Sequence, residues 1–176
     1  MRVIAGSAKG RRLVVPAGAA TRPATDRLRE SIFGTLGDRC IDATVLDLFA
    51  GSGALGIEAL SRGGMHATFV ERDAAAIAAL RRNAETSGFG DRSTIARGDV
   101  ASYLRLATGS FDLVFCDPPY ADAELLAILL AGPHLRRVTR GLLVVRSLRK
   151  HLAAIPEQWT AEREKDVGED RVRYLS

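Results

Sequence analysis

The feature that most constrains this chain is an alternation of apolar runs and helix-periodic segments from Thr44 onward. Thr44-Val45-Leu46-Asp47-Leu48-Phe49 reads as a buried strand, followed by a glycine turn and a helix through Leu60. Ala67 to Glu71 gives a second strand and Ala74 to about Thr86 an alanine-rich helix. Ser93–Ala96 is a short third strand and Val100–Leu106 a short helix. Phe111–Cys116 is a fourth strand, Ala123–Leu130 a helix, and Leu142–Val145 a fifth strand. Parallel neighbours need crossover connections, so such alternation predicts an α/β fold. The expected architecture is a doubly wound, mostly parallel, Rossmann-like sheet with helices on both faces. Two polar stretches between Thr160 and Ser176 can pair as an antiparallel edge, which makes seven strands.

Ahead of this core, Val3-Ile4-Ala5 and Leu13-Val14-Val15 flank a Gly6–Gly10 turn and predict a β-hairpin. Pro16 to Pro23 reads as a loop. Thr25 or Asp26 then caps a helix with Leu28, Ile32, Phe33 and Leu36 on one face. The 176 residues suit one domain, with a basic arm over 1–24 and a core over 25–176. Residues 1–30 carry seven basic side chains against two acidic ones, while the rest of the chain is close to neutral. An arm of that sign attracts polyanions, and Arg2, Lys9, Arg11, Arg12 and Arg22 are its candidate phosphate contacts. A solvated basic terminus is the plainer alternative. No apolar run reaches the ~18 residues of a membrane span, and the N-terminus lacks the apolar core of a signal peptide. With only Cys40 and Cys116, a reduced cytoplasmic setting without disulfides is expected.

In open sheets of this kind ligands bind beyond the carboxyl ends of the strands. There, Asp47 and Phe49 lead into Gly51-Ser52-Gly53-Ala54-Leu55-Gly56, where Gly51 and Gly53 let a ligand approach the backbone. Glu71 closes the second strand and is placed to accept from a ribose diol. Asp99, past the third strand, is placed to accept from an adenine amine. Arg72 and Val100 complete the candidate cofactor pocket. Gly51-x-Gly53-x-x-Gly56 also fits the dinucleotide fingerprint, so a nicotinamide-dependent dehydrogenase remains an alternative. Asp47 favours S-adenosylmethionine, because a carboxylate there would repel a pyrophosphate but can receive an ammonium.

Asp117-Pro118-Pro119-Tyr120 closes the fourth strand and is the candidate catalytic motif. Two prolines fix the local backbone and leave Asp117 and nearby carbonyls as acceptors. An exocyclic amine on a base is a weak nucleophile, since its lone pair is delocalised into the ring. Acceptors gripping its hydrogens draw the nitrogen toward tetrahedral geometry. Tyr120 can stack on a flipped base. A rigid turn with a filler tyrosine is the bland reading, disfavoured by the glycine turn and matching acids. His66, His134 and His151 have no ligand spacing, so no metal is expected. Cys116 lies in an apolar strand and suits an inert thiol, and Gly51-Ser52-Gly53 is not a nucleophile elbow.

With these motifs placed, the chain resembles the bacterial 16S rRNA guanine-N2 methyltransferases, a class I S-adenosylmethionine-dependent family. The resemblance covers Arg2–Gly6, Lys9–Leu13, Thr21–Phe33, Asp47–Gly56 and Asp117–Tyr120. The last two motifs are shared by many amino-methyltransferases, including DNA and RNA adenine-N6 enzymes, which remain an alternative. Thr21–Phe33 and the basic hairpin point to this family. The resemblance implies one guanine of 16S rRNA as substrate, met within the small subunit or its assembly intermediates. It also implies that Thr25 and Arg27 help close the cofactor pocket. A monomer is expected. The family's tail carries a Tyr-Gly pair followed by Thr, whereas this chain ends Asp170-Arg171-Val172-Arg173-Tyr174-Leu175-Ser176.

Overall fold

The structure, a computed structural model, describes residues 1–16, 24–118 and 123–176. Its strands are β1 Thr44–Leu48, β2 His66–Glu71, β3 Ser93–Arg97, β4 Phe111–Cys116, β5 Thr139–Leu148, β6 Ala161–Val167 and β7 Asp170–Leu175. Its helices are α1 Asp26–Leu36, α2 Ala54–Ser61, α3 Ala74–Thr86, α4 Val100–Leu106, α5 Ala123–Ala131 and α6 Pro133–Val138. The strands form one sheet in the order β3-β2-β1-β4-β5-β7-β6. β1 to β5 pair in parallel, and β7 runs antiparallel to both neighbours.

Alternating side chains divide the core between the two faces of the sheet. Val45, Phe69, Phe115, Val144 and Val172 meet Phe33 of α1, Ile57 of α2 and Leu80 of α3 on one face. Leu46, Val70, Val114 and Val145 meet Leu104 of α4, Leu130 of α5 and Leu135 of α6 on the other. The expected doubly wound, mostly parallel fold is therefore observed. The bounds of α3, α4 and β4 coincide with the sequence reading, for a local reason at the helices. Asp73 and Asp99 cap α3 and α4 by accepting from the amides of Ala76 and Ser102, fixing where each helix starts.

Three elements differ from expectation. β5 runs ten residues, because pairing with β7 carries it past the apolar run through Arg146 to Leu148. α6 was not expected, being one short turn opened by Pro133 at its first position. The C-terminal pair is antiparallel, but only β6 is an edge strand, with β7 inserted between it and β5.

The N-terminal hairpin reduces to one bridge, Arg2 to Arg12, around a turn with Gly6 and Gly10 at positive φ. Its amides are diverted to the core. Ile4 and Ala5 donate to the carboxylate of Glu58 on α2, at 2.8 and 3.0 Å. Val14 donates to Asn83 Oδ1 on α3 at 2.8 Å, and Asn83 Nδ2 returns a bond to the Val14 carbonyl. Gly6 packs so closely on α2 that a Cβ there would lie 1.8 Å from the Ser61 carbonyl oxygen. Residues 17–23, including Arg22, and 119–122, including Pro119 and Tyr120, fall outside the described residues.

Candidate active site

The carboxyl ends of β1, β2 and β4 lie side by side, since Leu48 pairs with Val70 and with Cys116. By strand alternation Asp47, Glu71 and Asp117 continue the rows of Val45, Phe69 and Phe115, so all three project to the α1–α3 face. Sequence spacing of 24 to 70 residues thus collapses into one acidic cluster. Between them runs the turn from Phe49 to Gly53, where Phe49, Gly51 and Gly53 have φ of 60, 55 and 80°. Phe49 is not glycine, and a left-handed backbone costs such a residue about 1–2 kcal/mol. Strain of that size is tolerated where the fold over-determines the turn.

The two outer glycines of the fingerprint serve different ends. At Gly56 a Cβ would lie 2.3 Å from the Phe69 ring, so this glycine lets α2 pack on β2. At Gly51 a Cβ would meet nothing within 4 Å, so this backbone faces open space. Ser52 between them is buried, and its carbonyl accepts from Asn83 Nδ2 at 2.9 Å. One amide group, Asn83, therefore joins the basic arm at Val14 to the glycine turn. Sequence reading missed it, although an Asn in an Ala-Leu helix is the signal that could have found it.

Asp47 is 2% exposed and accepts from the Gly56 amide at 2.9 Å. Burial pushes its carboxyl well above the usual range, against the pull of that amide, and the Asp117 and Glu71 carboxylates add to the rise. Glu71 accepts from Gly51 through Oε2 at 2.8 Å, and from Arg72 and Asp73 through Oε1. Three of the roughly four acceptor positions of a carboxylate are thereby used. A two-handed grip on a diol would need the Gly51 amide to turn away. Asp99 is exposed, with Oδ1 spent on the Ser102 amide, and Val100 behind it is buried. Arg72 is exposed beside them.

Asp117 follows β4 and is half-buried, with Pro118 buried behind it. Both its oxygens accept from Arg146 Nη1 on β5, at 3.2 and 3.1 Å. Arg146 Nε donates to Asp170 Oδ1 at the start of β7, at 3.1 Å. Burial raises the Asp117 carboxyl, the Arg146 guanidinium opposes that by charge and hydrogen bonds, and Asp170 adds to the rise. Neither Arg146 nor Asp170 was anticipated. Strand alternation could have flagged Arg146, which occupies an inward position two residues after Val144. Cys116 is fully buried and its thiol is raised far above the ordinary range, as an inert thiol should be.

Thr25 caps α1, its hydroxyl accepting from the Leu28 amide at 3.2 Å, and Arg27 is exposed on the first turn. Arg2, Lys9, Arg11 and Arg12 are exposed on the N-terminal turn. Arg29 was counted in the basic excess of this region, but it is fully buried, paired with Asp26 and Glu58. The positive surface of the arm is smaller than the sequence count by that one charge.

An open sheet of this order, with an antiparallel β7 inserted and acids closing β1, β2 and β4, is a class I Rossmann-like methyltransferase fold. It departs from the 3-2-1-4-5-6 order of dinucleotide-binding sheets. The chain belongs to the family described as Conserved hypothetical protein 95, which matches residues 1–176. It is 37% identical over 171 residues to ribosomal RNA small subunit methyltransferase D of Escherichia coli (strain K12), covering 96% of this chain and 86% of that protein. It is 47% identical over 133 residues to the "Putative rRNA methyltransferase YlbH" of Bacillus subtilis, covering 73% and 72% of the two. The solved structure of "Putative methyltransferase yhhF" from Escherichia coli matches with a TM-score of 0.86 at 36% identity, covering 99% of this chain and 96% of that one. Fold and relatives together make the chain a methyltransferase.

Proposed function

We propose that the chain transfers a methyl group from S-adenosylmethionine to the N2 amine of a guanine in 16S rRNA of the small ribosomal subunit. The observation that carries the cofactor is the Asp47–Gly56 hydrogen bond. The α2 N-terminus, where a pyrophosphate would dock, already holds a carboxylate. The Asp117 and Glu71 carboxylates also disfavour the charge on Asp47, so the pocket favours a cation over an anion. S-adenosylmethionine carries an ammonium and a sulfonium, and when bound it supplies an electrophilic methyl. In this reading Asp47 receives the ammonium, Glu71 the ribose and Asp99 the adenine. Phe49, Gly51, Gly53, Arg72 and Val100 line the pocket, and Thr25 and Arg27 close it.

Asp117 and the carbonyls of Pro118 and Pro119 grip the amine of a flipped guanine and aim its lone pair, while Tyr120 stacks on the ring. As the nitrogen–carbon bond forms and the sulfur–carbon bond breaks, Asp117 is placed to take the proton that nitrogen sheds. Holding the two partners in line supplies most of the rate. The relatives' names support small-subunit rRNA as the substrate. Guanine rests on the resemblance carried by Thr21–Phe33 and the basic hairpin, since adenine and guanine amines make similar demands on Asp117. Arg2, Lys9, Arg11, Arg12 and Arg22 contact rRNA phosphates, and the enzyme works as a cytoplasmic monomer on the small subunit or its assembly intermediates. Calorimetry with S-adenosylmethionine and with a nicotinamide dinucleotide tests the pocket. Binding of the first alone is expected, and preference for the second would overturn the reading. Labelled transfer to small subunits should exceed transfer to naked 16S RNA.

A further inference from the structure

Asp117 is surrounded by charge from three strands. Arg146 on β5 binds both of its oxygens, Asp170 on β7 lies on the far side of that guanidinium, and Asp47 on β1 faces it from the cofactor side. Arg146 is only 4% exposed and is bonded to carboxylates from two different strands. A buried guanidinium held this way is costly to maintain unless its geometry is used. The four residues before it in β5, Leu142 to Val145, are apolar, and a Leu or Val at this inward position would continue the Val144 row without desolvating a charge. The strand pairing explains how it is held. Arg146 pairs with Val172 across the β5–β7 ladder, and Asp170, two residues earlier on β7, lies diagonally within its reach.

We propose that Arg146 is a positioning residue for the methyl transfer, clamped by Asp170 of the C-terminal hairpin so that it orients Asp117 and keeps it ionised. This rests on the reading of Asp117 as the acceptor of the target amine. An ionised Asp117 offers lone pairs to both amine hydrogens, whereas a protonated one offers a donor in the wrong direction. With Asp47 and Asp170 close by and burial acting in the same sense, Asp117 would hold its proton more tightly without Arg146. The antiparallel β7 is therefore part of the active site, because it supplies the carboxylate that aims Arg146. The rate must fall on the acid side as Asp117 takes up a proton, and the two ends of the clamp move that fall in opposite directions.

The test is the pH dependence of kcat for methyl transfer to small subunits, with cofactor affinity and Tm measured alongside. Arg146→Met should lower kcat at neutral pH at least ten-fold and shift the acid limb upward by about 1–3 pH units, the range for losing an adjacent opposite charge. Arg146→Lys should return the limb to its original position while recovering only part of the rate, since the charge is restored without the fork. Asp170→Asn should move the limb the other way, to lower pH, with a smaller loss of kcat. Cofactor affinity should stay within a few-fold in all three. If Arg146→Met does not fold, the Lys and Asn variants carry the test through their unequal limbs. Limbs that stay put in folded variants, with Asp117→Asn inactive, would overturn the role of Arg146 and leave Asp117 standing. An active Asp117→Asn would instead remove the reading beneath it.

Discussion

Glu58 and Asp117 both face buried arginines, and they are built to opposite ends. Glu58 on α2 is fully buried and saturated, accepting from the Ile4 and Ala5 amides, Arg62 Nε at 2.8 Å and Arg29 Nη1 at 3.5 Å. Four donors against one charge leave nothing for a ligand to do, and the group nails the N-terminal turn to the core. Asp117 has like charges in Asp47 and Asp170 near it, and burial raises its carboxyl. A saturated carboxylate is architecture, whereas one crowded by its own sign at a strand end is poised for a ligand or a proton.

That contrast can be broken at either end. The largest effect is expected at Asp117, where Asn should lower kcat by about 10²–10⁴-fold, the range for losing acid–base assistance. Its Tm should hold or rise, because a strained charge is removed; thermal melts beside single-turnover transfer check both. Glu58→Ala should do the reverse. Removing one partner of a buried pair costs about 3–5 kcal/mol, so denaturant melts should show a large loss while the folded fraction keeps its kcat.

The glycine turn sharpens the same comparison at smaller scale. Gly56→Ala drives a methyl into the Phe69 ring and should cost about 1–3 kcal/mol of stability. Gly51→Ala meets open space but sits at φ 55°, so it should cost about 1–2 kcal/mol in backbone strain and also weaken the cofactor Kd by calorimetry. The smallest effect belongs to Asp47. Its folded carboxyl is raised, so the folded state holds a proton that the unfolded state releases. Its contribution to stability is complete at low pH and falls as pH rises from the ordinary carboxylate range through the raised value. Asp47→Asn should flatten that decline and raise the Tm of the cofactor-free protein at neutral pH by about 2–4 °C, as ~1 kcal/mol does in a chain of this length. The same variant should lose cofactor affinity, a stability gain made against function.

What could be read from the sequence divides along the same line. The acids that end parallel strands were legible, because strand periodicity and the glycine turn place Asp47, Glu71 and Asp117 without knowledge of distant contacts. The helix cap at Thr25 was legible as a residue type, whereas Asp99, read as an adenine acceptor, has one carboxylate oxygen spent on starting α4. Groups whose partners come from far along the chain were not. Arg29 looked like one more charge of a basic arm, and only the packing of α1 on α2 sends it to Glu58. Glu58 went unremarked in the sequence, because the amides that cover it come from Ile4 and Ala5, more than fifty residues away. Arg146 ended the apolar run of β5 and so hid that strand's true length, since its partner strand lies 24 residues on. Local pattern reports local structure; a buried ion pair is a long-range fact.

The most direct measurement is methyl transfer from labelled S-adenosylmethionine to small ribosomal subunits that lack the modification, followed by digestion to nucleosides. The label should appear in N2-methylguanosine from 16S rRNA and disappear with Asp117→Asn. Label in N6-methyladenosine, or in protein rather than RNA, would contradict it.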